Sequence, residues 1–388
     1  MNKYFCNKEY KYIYLGSLCY NFANALIETF GTVMLYKNGV SIWMILLIYG
    51  LRFGITALTS PFFVTIVSKY GIAKCILISN IFSIISSYFM LDSNNLYRNI
   101  VIFILAMGLM GISNPSSDAL SSRYVDTNHR GRFNSFLNIT KVIGIALASS
   151  LVAWGVLSNT NFMIFIIISI FFFLHYIFTK KIDYKDENNT KVFKESVKYI
   201  IKSKSKYKFI YALRANHIIE RLLAPLYLYI ILADFKAFSM IIIGSLIIQI
   251  ITIIIIGKYT DKNIYRTNNL VTLIKAAITS VYLFTKNKIA ISINKTISDN
   301  FEKMYETSIQ TSIQNIIKES TEDSNLLSTI GQVCLCLAEF IIFLMLSLLS
   351  LFIKEKIFYV VFILSIVSTI TINISIKKQL VVNKDGSF

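Results

Sequence analysis

The chain has 388 residues, 55% of them hydrophobic and 15% charged, with three prolines and a mean hydropathy of +0.60. Such a composition excludes a disordered, collagen-like or disulfide-stapled protein. The 39 Lys and Arg against 21 Asp and Glu give a net charge of +18; in a soluble protein this raises nucleic acid as a partner, whereas a membrane protein gathers the same excess in its cytoplasmic loops.

Apolar blocks such as MIIIGSLIIQIITIIIIG at 240–257 match the roughly 20 residues one helix needs to cross about 30 Å of hydrocarbon. Windows bounded by Gly, Pro and charge predict spans at 12–36, 40–67, 72–91, 97–124, 133–157 and 161–179. The basic start resembles a signal peptide. Its apolar segment, however, runs to about Tyr36, holds Asn and Glu and lacks a small-residue cleavage site, so the first span is expected to stay. A lysine-rich stretch, 180–208, follows. Within it Phe193, Val197, Ile200 and Ile201 recur at helical spacing among lysines, which reads either as a basic amphipathic helix on the inner membrane surface or as a solvated linker.

Further spans are predicted at 209–233, 237–257, 267–285, 289–317, 324–350 and 357–376. The whole reads as an all-α membrane protein of twelve transmembrane helices. It divides into a six-helix bundle over 1–179, a basic linker over 180–208 and a second six-helix bundle over 209–388. Lys and Arg gather on alternate loops, which puts both termini in the cytoplasm and makes nucleic acid an unnecessary partner. Segment 289–317 carries Lys295, Asp299, Glu302, Lys303 and Glu306; read instead as a surface amphipathic helix, it leaves eleven spans. Of Cys6, Cys19, Cys75, Cys334 and Cys336, four lie in apolar segments, so no disulfide is implied. Cys334 and Cys336 point to different faces of one helix and make no metal site.

An ionisable side chain at bilayer depth costs about 2.5 to 3.5 kcal/mol on insertion scales and by default faces protein or water. Four spans carry such groups in stripes. Ser17, Asn21, Asn24 and Glu28 share one face of the first span, and Asn114, Ser117, Asp118 and Ser121 stand beside Pro115 in the fourth. The seventh has Arg214, His217 and Arg221 on one face with Glu220 adjacent; the tenth has Lys295, Asp299, Glu302 and Glu306, then Gln310 and Gln314. Neutralisation within the tenth, Lys295 with Asp299 or Asp299 with Lys303, is the purely structural reading. Asp118 and Lys141 lie at similar depth and are expected to pair, whereas Lys275 and His175 are expected to snorkel or cap.

Six spans, a basic loop and six more spans resemble the major facilitator superfamily, and two loops sharpen the resemblance. Gly257-Lys-Tyr-Thr-Asp261-Lys262-Asn-Ile-Tyr-Arg266 is similar to that family's loop motif of Gly, three residues, Asp and downstream basic residues. The matching loop of the first half keeps Lys69, Gly71 and Lys74 but has Ser68 where the family has Asp. Arg123-Tyr-Val-Asp126-Thr-Asn-His-Arg130-Gly131-Arg132 resembles its charged turn into the fifth span. Ile104 stands about where proton-driven drug exporters of the family carry Arg, and the fifth span lacks their Gly-Pro pair.

The resemblance implies that spans 1, 4, 7 and 10 line a central cavity. The candidate substrate and proton residues are then Asn21, Asn24, Glu28, Asn114, Asp118, Arg214, His217, Arg221, Asp299, Glu302, Glu306 and Gln310. It also implies a gate built from Gly71, Gly257, Asp261, Lys262 and Arg266. Arg52 and Glu339 lie at similar depth on spans that the family packs together, so an outer-gate ion pair, present when the outside is closed, is expected; the alternative pairs each within its own half.

The function so implied is secondary transport of a small solute by alternating access. Proton-coupled export of an amphipathic compound leads, with Glu28, Glu302 and Glu306 as proton carriers. Two arginines opposite several acids suit a solute bearing both charges, or an anion held by the seventh span. The alternatives are a non-transporting receptor or scaffold and a lipid or precursor flippase. The expected partners are a small-molecule substrate, a coupling proton or other ion and the lipid bilayer, with the chain acting as a monomer. No P-loop, nucleophile elbow or metal signature is present, so neither enzymatic activity nor a cofactor is expected. Abundant Ile, Lys and Asn fit an AT-rich bacterial genome, hence a bacterial plasma membrane.

Overall fold

The computed structural model describes residues 8–91, 95–158, 161–182, 193–202, 207–233, 246–319 and 324–384, with 237, 240 and 241. At some helical positions, Glu28 among them, only the backbone is described. The described residues are helical with short turns, and no strand occurs among them.

Helix α1 (Lys8–Lys37) covers the first predicted span. Proline splits two of the others. Pro61 separates α2 (Ile42–Thr59) from α3 (Phe62–Tyr70), because its ring neither donates an N–H nor fits a helix interior. α4 (Ile72–Leu91) follows, and then the fourth span breaks into α5 (Leu96–Met110), a tight turn over Gly111–Ser113 and α6 (Ser116–Tyr124), which opens just after Pro115. α7 (Arg130–Ser158) and α8 (Asn161–Lys180) complete the first half.

The linker contains α9 (Phe193–Lys202), whose Phe193 ring stacks on Phe62 of α3 with centroids 4.3 Å apart. The second half comprises α10 (Tyr207–Leu232), α11 (Leu246–Lys262), α12 (Ile264–Phe284), α13 (Lys288–Glu319), α14 (Ser324–Ile353) and α15 (Ile357–Lys384). α11 covers the latter part of the predicted span 237–257; most of the earlier part lies outside the described residues.

Five described stretches are long and apolar enough to cross a membrane: Ile42–Thr59, Ile72–Phe89, Leu96–Tyr124, Lys208–Leu232 and Ser324–Lys377. Large apolar side chains such as Phe173, Phe284, Leu348 and Phe352 are more than half exposed. An apolar exterior of this extent belongs in hydrocarbon, and the chain is a multi-pass membrane protein. The charged face of α13 is turned inward: Lys295, Glu302, Lys303 and Glu306 are all buried.

Within the first half, α1 packs on α7 and α8, and α4 on α5 and α8; within the second, α10 packs on α14 and α15, and α12 on α13 and α15. Between the halves the broadest contacts are α2 with α14 and α7 with α11. As predicted spans these are the second with the eleventh and the fifth with the eighth, so adding six to one pair generates the other. The two halves therefore meet through a pseudo-twofold arrangement.

Apolar clusters fill the two ends of this interface. One gathers Tyr49, Phe53, Leu222, Tyr227 and Phe343, and the other gathers Phe63, Phe133, Tyr211, Ile256 and Ile313. Between the two layers the side chains turn polar.

Candidate functional site: a charged cavity between the halves

The polar layer encloses a cavity of about 380 Å³, within the range of small-molecule sites. α1 contributes Asn21 and Asn24, the segment around Pro115 contributes Asn114 and Asp118, and α10 contributes Arg214, His217 and Arg221. From α13 come Asp299, Glu302, Glu306 and Gln310, and from α2 and α14 come Arg52 and Glu339. Glu28 was read as part of this set; its side chain lies outside the described residues.

Glu306 is the busiest acid. Lys141 of α7 reaches its Oε1, Arg221 Nη1 stands 3.6 Å from the same oxygen, and Lys303 Nζ is 3.0 Å from Oε2. The expected partnership of Lys141 with Asp118 is therefore not formed. Asp118 instead accepts from Tyr211 Oη at 2.8 Å, Gln310 Nε2 at 3.1 Å and Gln314 Nε2 at 3.3 Å. Tyr211 and both glutamines come from the second half, and they occupy the carboxylate that Lys141 would have used.

Lys275 neither snorkels nor caps. It is 1% exposed, 3.0 Å from Glu220 Oε2 and 4.0 Å from Glu302 Oε2. Thr279 and Ser365 also donate to Glu220, and His217 Nδ1 stands 3.8 Å from it. His175 faces Asn80 Oδ1 at 3.2 Å. Lys295 pairs with Asp299 one turn along α13, as the structural reading expected. Asn21 Nδ2 donates to Thr140 Oγ at 2.6 Å, tying α1 to α7.

Below the cavity, toward the end carrying Arg130, Arg132 and Lys262, α7 and α13 run antiparallel and are joined by polar rungs. Arg130 Nη1 donates to Asn315 at 2.6 Å, Asn134 Nδ2 to Thr311 and Gln314 at 2.9 Å each, and Asn138 Nδ2 to Thr307 at 2.7 Å; Lys141 with Glu306 is the top rung. The chain pattern carries a signal for this ladder that the stripe analysis missed: Arg130, Asn134, Asn138 and Lys141 fall at i, i+4, i+8 and i+11 in an apolar span.

The basic end is fastened further by Asp261. Its Oδ1 accepts from the Gly131 N–H at 2.7 Å, and its Oδ2 lies 3.1 Å from Arg132 Nε. Burial lifts its carboxyl above the ordinary carboxylate range, and the Gly131 N–H and Arg132 guanidinium pull against that rise.

Lys262 and Arg266 were expected to join this gate but are exposed, with no side-chain ion pair among the described residues. Asp261 turns instead toward α7, which meets α11 with almost no gap. A Cβ on Gly257 would stand 2.2 Å from Ser135 Oγ and 3.1 Å from the Gly131 carbonyl. Gly71 makes no such contact: it ends α3 at φ +82 with open space around it, so it serves the turn rather than the gate.

At the far end the halves meet again. Ser347 Oγ donates to the Trp43 carbonyl at 2.8 Å, the Phe53 and Phe343 rings stack at 5.7 Å, and Thr32 Oγ donates to the Leu222 carbonyl at 3.2 Å. The expected Arg52–Glu339 ion pair is nevertheless absent, with no contact within 4.0 Å. The Arg52 guanidinium lies over Phe53 at 4.8 Å and Tyr49 at 5.5 Å, and its Nε and Nη1 have no hydrogen-bond partner; Glu339 meets the Cys336 thiol of its own helix instead of a cation. The aromatic faces hold the guanidinium on its own side of the cavity.

Two comparisons with solved structures cover nearly the whole fold. A bacterial homologue of the iron transporter ferroportin in an outward-facing state superposes with a TM-score of 0.69 at 12% identity, over 96% of this chain and 99% of that one. A bacterial homologue of the iron transporter ferroportin in an outward-facing state with soaked iron gives 0.64 at 12% identity, over 95% of this chain and 98% of that one. No curated protein sequence matches the chain. The family model of the Major Facilitator Superfamily matches residues 13–320. With that match spanning most of its length, the chain belongs to the major facilitator superfamily.

Proposed function

We propose that the protein is a secondary active transporter of twelve transmembrane helices, both termini cytoplasmic, that exports a small solute across a bacterial plasma membrane by alternating access, coupled to protons. The observation that carries this reading is the cavity of about 380 Å³ lined by charged residues of both halves, with contacts between the halves on either side of it. Such a site is reached from one side when the α7–α13 rungs part and from the other when α2 and α14 part. The buried charged face of α13 supports counting it as a full span.

Glu302 and Glu306 are the described carboxylates proposed to carry the coupling proton, and Glu306 has the more direct leverage because it joins α13 to α7 across the halves. The structural relatives are described as homologues of an iron transporter. Among the described residues here, however, no group of three or more His, Cys, Asp or Glu stands together as a metal site. The acids of the cavity face Lys, Arg, Tyr and Gln, a lining better suited to an organic solute with charged groups than to a bare cation.

The test is solute flux in vesicles containing the purified protein, with an imposed pH gradient and a fluorescent reporter of internal pH. The reading expects solute-dependent proton movement that disappears in Glu306→Gln. Carriage of no solute, or undiminished proton movement in that variant, would count against transport or against the coupling residue respectively.

A further inference from the structure

In the cavity lining nearly every acid already faces a base or a donor. Glu306 has three cations, Asp299 has Lys295, Glu302 has Lys275 and Asp118 has three neutral donors. Arg52 and Glu339 stand outside this pairing. Arg52 is 6% exposed and Glu339 1%, both line the cavity, and neither is in an ion pair: Arg52 Nε and Nη1 have no hydrogen-bond partner, and Glu339 meets the Cys336 thiol of its own helix. Burying one ionisable group without a partner is costly, and here two of opposite sign face one space without meeting. Arg214 and Arg221 are the other charged groups whose fields reach Glu339, both from α10, and Arg214 lies over the Tyr211 ring at 5.3 Å.

We infer that Arg52 and Glu339 form the two poles of a binding site for a zwitterionic organic solute, the guanidinium taking its carboxylate and the Glu339 carboxylate taking its ammonium. The inference rests on the transporter reading and names its substrate class. Arg52 offers the planar fork that fits a carboxylate, and Glu339 accepts from an N–H donor. One pole belongs to each half. A ligand spanning them adds a bridge between α2 and α14 and so favours the state in which these helices are packed, giving binding a direct influence on the gate.

The experiment is thermal unfolding of the purified chain in detergent with glycine, β-alanine and γ-aminobutyrate. The controls at equal concentration are acetate, propionate and butyrate, and the matching alkylamines, which carry one pole only. Binding to the folded state raises the unfolding midpoint. The expected result is a rise with at least one zwitterion and none with its matched acid or amine; the chain length giving the largest rise reports the separation of the poles. Arg52→Gln and Glu339→Gln should each weaken that binding about tenfold or more, the loss of a charge-assisted contact.

Glu339→Gln should unfold no earlier than the parent chain without ligand, because it keeps the side chain's shape and breaks no ion pair, so loss of binding cannot be put down to misfolding. No rise with any zwitterion, an equal rise with one-pole compounds, or full binding in Glu339→Gln would overturn the assignment. Flux measurements separate this from the transporter reading. Carriage of another solute class without zwitterion binding refutes the substrate and leaves transport standing; zwitterion binding without flux does the reverse.

Discussion

Glu306 and Asp261 show two different uses of a buried acid. Glu306 faces three cations drawn from α7, α10 and its own helix, so its charge is what those groups are arranged around. Glu306→Gln keeps the shape and removes the charge, leaving Lys141, Arg221 and Lys303 to repel one another. Breaking a buried pair from one side costs about 3 to 5 kcal/mol; Lys141 keeps 29% of its side chain exposed, so a loss near the lower end is expected from calorimetric or denaturant unfolding. Adding Lys141→Gln should recover part of it, whereas strictly additive losses would show that the rung carries no coupling.

Asp261 works mainly as an acceptor. Since burial outweighs its cation and lifts its carboxyl, the closed junction gains from protonation: this contribution is fully present at low pH and is lost as pH rises through the raised value. Asp261→Asn should therefore hold the junction at neutral pH at least as well as the parent and lose the pH dependence. Asp261→Ala, which removes the acceptor for the Gly131 N–H, should loosen it at every pH. Amide hydrogen exchange over residues 130–135 reads both outcomes, and equal exchange in Asn and Ala variants would refute the acceptor role.

At the scale of helices, what could be read in advance was periodicity, and what could not was facing. The stripes on the first, fourth, seventh and tenth spans follow from spacing alone, because a helix puts i, i+4 and i+7 on one side whatever surrounds it. Which stripe meets which is decided by helix rotation and crossing, and spacing contains neither. Depth suggested Lys141 with Asp118, and depth together with the family's packing of those spans suggested Arg52 with Glu339; the fold gave Lys141 to Glu306, Asp118 to Tyr211 and the glutamines, and Arg52 to two rings. The loop motif fared similarly: Gly257 and Asp261 lie at the α7–α11 junction, while Lys262 and Arg266 lie outside it.

That junction yields a prediction for the element pair. A methyl group at residue 257 would overlap Ser135 Oγ, which can rotate away, and Ser135 Cβ at 2.9 Å, which cannot, and it would crowd the Gly131 carbonyl, which is backbone. Helices in lipid associate through close packing rather than through a hydrophobic gain, so the cost falls on the junction itself. Gly257→Ala should weaken it by about 1 to 3 kcal/mol, the usual range for overpacking. Faster amide exchange confined to 130–135 and 257–262 is expected; unchanged exchange there would mean the helices already sit apart.

For the whole molecule, the halves meet through the second span with the eleventh and the fifth with the eighth, and the proposed alternating access requires these two junctions to open in turn. A covalent strap across one gate should therefore stop the cycle without unfolding the chain. The far end offers a suitable place. A Cβ built on Gly50 lies 3.1 Å from the Phe343 Cβ, just short of the disulfide range of about 3.5 to 4.5 Å, and the helix pair needs to yield about 0.4 Å to reach its lower end. In a variant combining Gly50→Cys with Phe343→Cys, oxidation should join α2 to α14 and hold the far gate shut. Flux should then cease, return on reduction and remain unaffected by oxidant in either single variant. With the far gate strapped the α7–α13 rungs remain free to part, so the strapped chain should still bind from the basic end. Flux that continues at full rate with the bridge demonstrably formed would show that the halves do not separate along α2 and α14, and the alternating-access reading would have to be given up for this pair of helices.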